Sequence, residues 1–197
     1  MNGSFPQTAG LWLAAMALMM APMALPTLHL LRRACGRHDP GVVWGFAWGY
    51  AGIWSGFSLG LAGVQTGLRT AGWPPPATAL LLLTAGLYQF SPWKTACLQR
   101  CRSPLTQLLS LRHPDWRGGL VLGGEYGLSC LGCCWAVMLT MLGAGMMAPA
   151  AMLALALLLA GERLLPVNPR TIARANGALL LSWALWSSLE NLRGGVL

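Results

Sequence analysis

Six cysteines and ten methionines lie among the 197 residues of this chain, and their placement is more telling than their number. The segment EYGLSCLGCCWAVMLTM brings Cys130, Cys133 and Cys134 close together and follows them with Met138 and Met141. On a helical wheel of about 100° per residue, with Cys130 at zero, Cys134, Cys133, Met138, Met141 and Tyr126 fall at roughly 40°, −60°, 80°, 20° and −40°. Three thiols and two thioethers thus flank one stripe, and Trp135 points away from it. Soft donors of this kind favour Cu(I), and thiolate also suits Zn²⁺.

A second sulfur stripe lies in LAAMALMMAPMALP, where Met16, Met19, Met20 and Met23 occupy positions i, i+3, i+4 and i+7. Methionine is an ordinary gap-filler at helix contacts, so this stripe gains weight only from the first one. His29 sits off that face. In YQFSPWKTACLQRCRSPL, Cys97 and Cys101 are four apart and Lys94 precedes Cys97 by three, so one helix would place all three on one face. A neighbouring ammonium favours the thiolate, the form that binds metals. Cys35, with His38 and Asp39 in RRACGRHDP, makes a weaker pattern that reads as a loop. Glu125 lies about seven residues inside an apolar block, where a carboxylate costs on the order of 2.5–3.5 kcal/mol near the bilayer centre. Cation pathway, proton site and hydrogen-bond anchor are all open for it. Glu162 reads as an interfacial partner of the adjacent Arg163.

These residues need elements to position them, and composition says which. Hydrophobic residues make up 55% of the chain and charged residues only 9%, against about 25% charged in soluble domains. Mean hydropathy is +0.55. The expected class is all-α: a single polytopic membrane domain over residues 1–197, with about six transmembrane helices, each needing roughly 20 residues. The expected spans are 8–31, 41–64, 77–98, 119–145, 148–164 and 172–191, the fifth opening at Pro149. Thirteen Lys and Arg against five Asp and Glu give a net charge of +8. With six spans, eleven of the basic residues fall on one side, among them Arg32, Arg37, Lys94, Arg112, Arg163 and Arg174, and only Arg69 and Arg193 on the other. The positive-inside rule makes the basic side cytoplasmic and both termini external, so the charge reports topology rather than a nucleic acid. No basic residue precedes the first apolar run, so a cleaved signal peptide is not expected. Gly41, Gly45 and Gly49, then Gly52, Gly56 and Gly60, recur at four and read as a helix-packing ladder. Trp12, Trp44, Trp73, Trp93 and Trp116 read as interfacial rings.

Axial distance separates the two cysteine groups. At about 1.5 Å per residue, Cys130 lies about 18 Å from the cytoplasmic end of its helix, near the midplane. Cys97 lies at the cytoplasmic end of the third span, a gap of order 15 Å, whereas metal–sulfur bonds are about 2.3 Å. Two sites are the simpler expectation, unless a tilt or a kink at Pro92 shortens the gap. The soft ligands would then run in a line across the membrane, ending at Cys97 and Cys101.

YQFSPWKTACLQRCRSPL and GGEYGLSCLGCCWAVM together resemble the paired signatures of a bacterial multi-pass family of predicted metal-binding integral membrane proteins, a domain-of-unknown-function family. MALMMAP is similar to that family's Met-rich start, and ERLLP to its acidic-basic ending. The resemblance implies an inner-membrane helical protein with copper as its suspected metal, and Cys97, Cys101, Cys130, Cys133 and Cys134 as ligands. Many members carry His where this chain has Tyr126, so a nitrogen ligand of those members is replaced here by a phenol.

Three functions compete at this point. The first is a membrane protein that binds, delivers or transports Cu(I), with the bilayer and a metal chaperone or membrane protein as partners. The second is a non-catalytic subunit of a membrane complex, whose small-residue faces also suit an oligomer. The third is a thiol–disulfide enzyme, the weakest, since the thioredoxin-like context of such motifs is missing. No Walker loop, HExxH, Ser-His-Asp set or dinucleotide motif occurs.

Overall fold

The computed structural model describes residues 4–35, 40–70, 72, 77–103, 108–109, 111, 113, 115–144, 149–165 and 167–194. Arg37, His38, Asp39, Trp73 and Arg112 lie outside the described residues. Seven helices and no strand occur among those described: α1 (Phe5–Ala34), α2 (Gly41–Thr70), α3 (Ala77–Tyr88), α4 (Pro92–Arg102), α5 (Trp116–Ala144), α6 (Pro149–Leu164) and α7 (Pro169–Gly194). The fold class is all-α. Two helices, Phe5–Ala34 and Trp116–Leu142, are long and apolar enough to cross a membrane, and Ala79–Tyr88 is a shorter apolar helix.

Five of the six hydropathy blocks are single helices, and the third is two. Its break has a local cause. The Gln89 N–H is shared between the Ala85 and Gly86 carbonyls at 3.3 and 3.2 Å. Phe90 and Ser91 then donate to Leu87 and Tyr88 at 3.1 and 2.9 Å, tightening the turn to three-residue spacing. Pro92 opens α4, where its missing N–H costs nothing. Proline alone does not decide the matter, because α1 runs unbroken through Pro22 and Pro26.

The chain forms two compact units, Met1–Thr66 with Gln99–Leu131, and Gly67–Leu98 with Gly132–Leu197. In the first, α2 lies against the N-terminal half of α5 with backbones in contact. A Cβ on Gly45 or Gly49 would strike the carbonyl of Trp116 or Leu120, and one on Gly119 or Gly123 the carbonyl of Val42 or Phe46. Small residues on both helices permit this approach. The ladder works only in its first half: Gly52, Gly56 and Gly60 have no neighbouring atom within 4 Å of a would-be Cβ. The close approach ends where Ile53 meets Gly127. Beyond Gly45 and Gly49, aromatic rings fill the unit's core. Phe46, Tyr50 and Tyr126 have centroids 5.6–6.4 Å apart, and Tyr50 leads on to Trp54 at 6.3 Å. Trp12, read from sequence as an interfacial ring, is fully buried and donates its indole N–H to the side-chain Oε1 of Gln65 at 2.6 Å.

In the second unit α3 packs along α7. Gly86 receives the Leu181 side chain, and Gly177 receives Gln89 and Phe90 at the end of α3. Tyr88 donates to the Gly132 carbonyl at 2.5 Å and sets its ring edge-on to Trp135 at 5.1 Å.

Substituting Gly123 by Leu overpacks a backbone contact, while the same change at Gly56 meets open space. The first should cost about 1–3 kcal/mol or more. In thermal unfolding of the detergent-solubilised chain, only Gly123→Leu is expected to lower Tm clearly; equal effects would contradict this helix pairing.

Candidate metal centre

The sulfur column of α5 faces inward. Cys130, Cys133, Cys134, Met138 and Met141 are each at most 2% exposed. Their helix is continuous from Trp116 to Ala144, so the wheel that grouped them holds along its length. None of the six cysteines is in a disulfide.

In the first unit the column meets α1 and α2 at Tyr50. Its hydroxyl donates to the Met20 carbonyl at 3.0 Å and lies 3.6 Å from Cys130 Sγ. Met16, Met19 and Met20 are buried on α1, and Met16 and Met20 border a groove of about 290 Å³ between α1 and α2 together with Tyr50 and Trp54. The Met stripe and Cys130 are thus brought near one another through one phenol. Tyr126 is buried and donates to the Met23 carbonyl at 3.2 Å. Cys101, at the end of α4, is buried in this unit.

The second unit holds a tighter group. Cys97 Sγ lies 2.7 Å from where a Cβ on Gly132 would stand, so the thiol rests on the backbone just before Cys133. The Tyr88 phenol is within electrostatic reach of Cys97, Cys133 and Cys134. Arg163 Nη2 is 3.6 Å from Cys133 Sγ, placing a permanent positive charge beside a thiol. The axial arithmetic that kept Cys97 about 15 Å from the thiol turn therefore fails. It took the third span as straight; the alternative of a kink near Pro92 is the one that agrees with the turn at Gln89–Ser91 and with Cys97 at Gly132.

Three polar expectations also change. Lys94 does lie on the Cys97 side of α4, but its ammonium engages both Glu162 oxygens, at 2.8 and 2.7 Å. Glu162 is not an interfacial partner of Arg163; it is 1% exposed, with Asn176 Nδ2 donating to Oε1 at 2.8 Å. Glu125, weighed as a cation, proton or hydrogen-bond site, is exposed on α5. Asn176 was not singled out in the sequence, and Glu162 was paired with Arg163 because the two are adjacent. The available signal was Lys94, since a buried ammonium needs a carboxylate and the chain has only five acidic residues.

Among the described residues, no group of three or more His, Cys, Asp and Glu side chains is already arranged to hold a metal ion. What the second unit presents is Cys97 Sγ seated on Gly132 and a guanidinium beside Cys133, and thiolate donors are soft enough for Cu(I).

A family model described as a copper chaperone, PpoB2, matches residues 9–187. No curated protein and no solved structure matches the chain.

Tyr50→Phe removes the hydroxyl that joins Met20 and Cys130, and should cost about 1 kcal/mol. Glu125→Gln changes an exposed group and should stay within about 0.5 kcal/mol of wild type. Paired denaturation curves in detergent check both; a large loss for Glu125→Gln would mean that this carboxylate has a partner inside the fold.

Proposed function

Because the chain belongs to the copper chaperone family, we propose that it is a multi-pass protein of the bacterial inner membrane that takes up Cu(I) on buried sulfur ligands and hands it to a protein partner. The observation that carries this reading is the seating of Cys97 on Gly132, next to Cys133 and Cys134, in a setting that already contains Arg163. Two thiolates and one Cu⁺ leave a net negative charge, which the guanidinium beside Cys133 offsets. Each thiol that binds releases its proton, and no electron moves. Hand-off proceeds by ligand exchange: a thiolate or thioether of the partner bonds to copper as a chain thiolate leaves. Donor softness favours Cu(I), while Zn²⁺ remains the competitor that thiolates also accept.

The Met residues extend the same chemistry. Met138 and Met141 lie on the inward face of α5 beyond the thiols, and Met16, Met19 and Met20 lie on the buried face of α1. Thioethers carry no charge and hold copper less firmly than thiolates, which suits entry or exit steps. The membrane reading rests on the two long apolar helices, on the one-sided distribution of basic residues, and on the leucines turned outward. Leu18, Leu80, Leu157 and Leu185 are each more than half exposed, a surface that water disfavours and acyl chains accept.

Copper analysis of the purified full chain, loaded with Cu(I) under reducing conditions and passed through a desalting column, tests the reading. Wild type should retain copper, and a variant with Cys97→Ser, Cys133→Ser and Cys134→Ser should lose most of it. Equal retention in both would contradict the proposal.

A further inference from the structure

The second unit buries a charge cluster that sulfur chemistry does not require. Lys94 on α4 and Glu162 on α6 are 0% and 1% exposed and joined through both carboxylate oxygens. Asn176 on α7 completes the cluster by donating to Glu162 Oε1 at 2.8 Å. Placing such an ion pair in an apolar interior carries a desolvation penalty that its attraction often fails to repay, and well-packed apolar residues commonly serve stability as well or better. What the pair supplies that apolar residues do not is a fixed geometry.

That geometry bears on the thiols. Lys94 precedes Cys97 by three residues, so pinning its ammonium fixes the helical turn that carries Cys97 Sγ onto Gly132. Glu162 is followed directly by Arg163, whose Nη2 reaches Cys133 Sγ at 3.6 Å. One dipeptide of α6 therefore touches both arms of the thiol group, Cys97 through Lys94 and Cys133 through Arg163. Asn176 orients the carboxylate from α7.

We infer that Lys94, Glu162 and Asn176 form a buried strut that positions Cys97 beside Cys133 and Cys134 for metal capture. These are positioning residues that act through the thiols and do not touch the metal. The inference rests on the copper reading for its purpose but not for its geometry, and the two can fail separately.

The test compares the full-length chain in detergent with the apolar exchange Lys94→Met/Glu162→Leu and with the conservative variant Lys94→Arg. One readout is Cu(I) affinity from competition with a chromogenic chelator. The other is bridging of Cys97 to Cys133 or Cys134 by dibromobimane, which fluoresces once both of its arms have reacted; here Cys35, Cys101 and Cys130 are replaced by Ser. The apolar exchange should keep the fold while lowering Cu(I) affinity at least tenfold and bridging yield at least threefold. Lys94→Arg should recover most of both. Wild-type affinity and bridging in a folded apolar variant would overturn the strut. If the apolar variant does not fold, Asn176→Ala, which leaves the ion pair in place, decides: a threefold or greater fall in bridging supports the inference, and a wild-type yield overturns it. If wild type itself binds no Cu(I), the copper reading fails, and the bridging yields still judge the strut.

Discussion

At Gly132 the chain has no side chain, and the thiol of Cys97 occupies the space that a Cβ would take. Soft-metal chemistry inside an apolar fold needs sulfur atoms from different helices within a few ångströms, since metal–sulfur bonds are about 2.3 Å long. Side chains between two helices normally keep their axes about 8–10 Å apart. A glycine on α5 removes one layer of that spacing where the cysteines of α5 and α4 come together. The break between α3 and α4, the Tyr88 hydrogen bond to the Gly132 carbonyl and the charge on Arg163 are all arranged around that contact.

The first unit uses the same device for another purpose. Glycines of α2 and α5 interlock backbone to backbone, and the aromatic residues that follow fill the remaining core. Cys130 enters that core beside the Tyr50 hydroxyl, facing the methionine stripe of α1. Helix α5 therefore carries sulfur through both units, with Cys130 in the first and Cys133, Cys134, Met138 and Met141 in the second.

Much of this was legible in the sequence, and what was not has physical reasons. The apolar blocks locate the helices because burial and backbone satisfaction need long uninterrupted runs. The helical wheel on α5 identifies the inward sulfur face, since five sulfur residues within one arc leave little choice of orientation. The break after Tyr88 was legible only in part: the chain turns polar through Gln89, Ser91 and Pro92, and a kink at Pro92 was an open alternative, but Pro22 and Pro26 do not interrupt α1, so proline alone does not decide the matter. Preferring a straight third span over the kink at Pro92 separated Cys97 from the thiol turn, whereas Cys97 lies at Gly132. The Lys94–Glu162 pair was likewise hidden by a separation of 68 residues, which no local pattern reveals. Depth along a helix could not say which side of α5 carries Glu125, which is exposed.

Extended X-ray absorption at the copper edge of the Cu(I)-loaded full chain addresses the central claim most directly. A first shell made of sulfur alone, which changes when Cys97 is replaced by Ser, is the predicted result. A shell dominated by nitrogen or oxygen, or one indifferent to that replacement, would contradict capture by thiols meeting at Gly132.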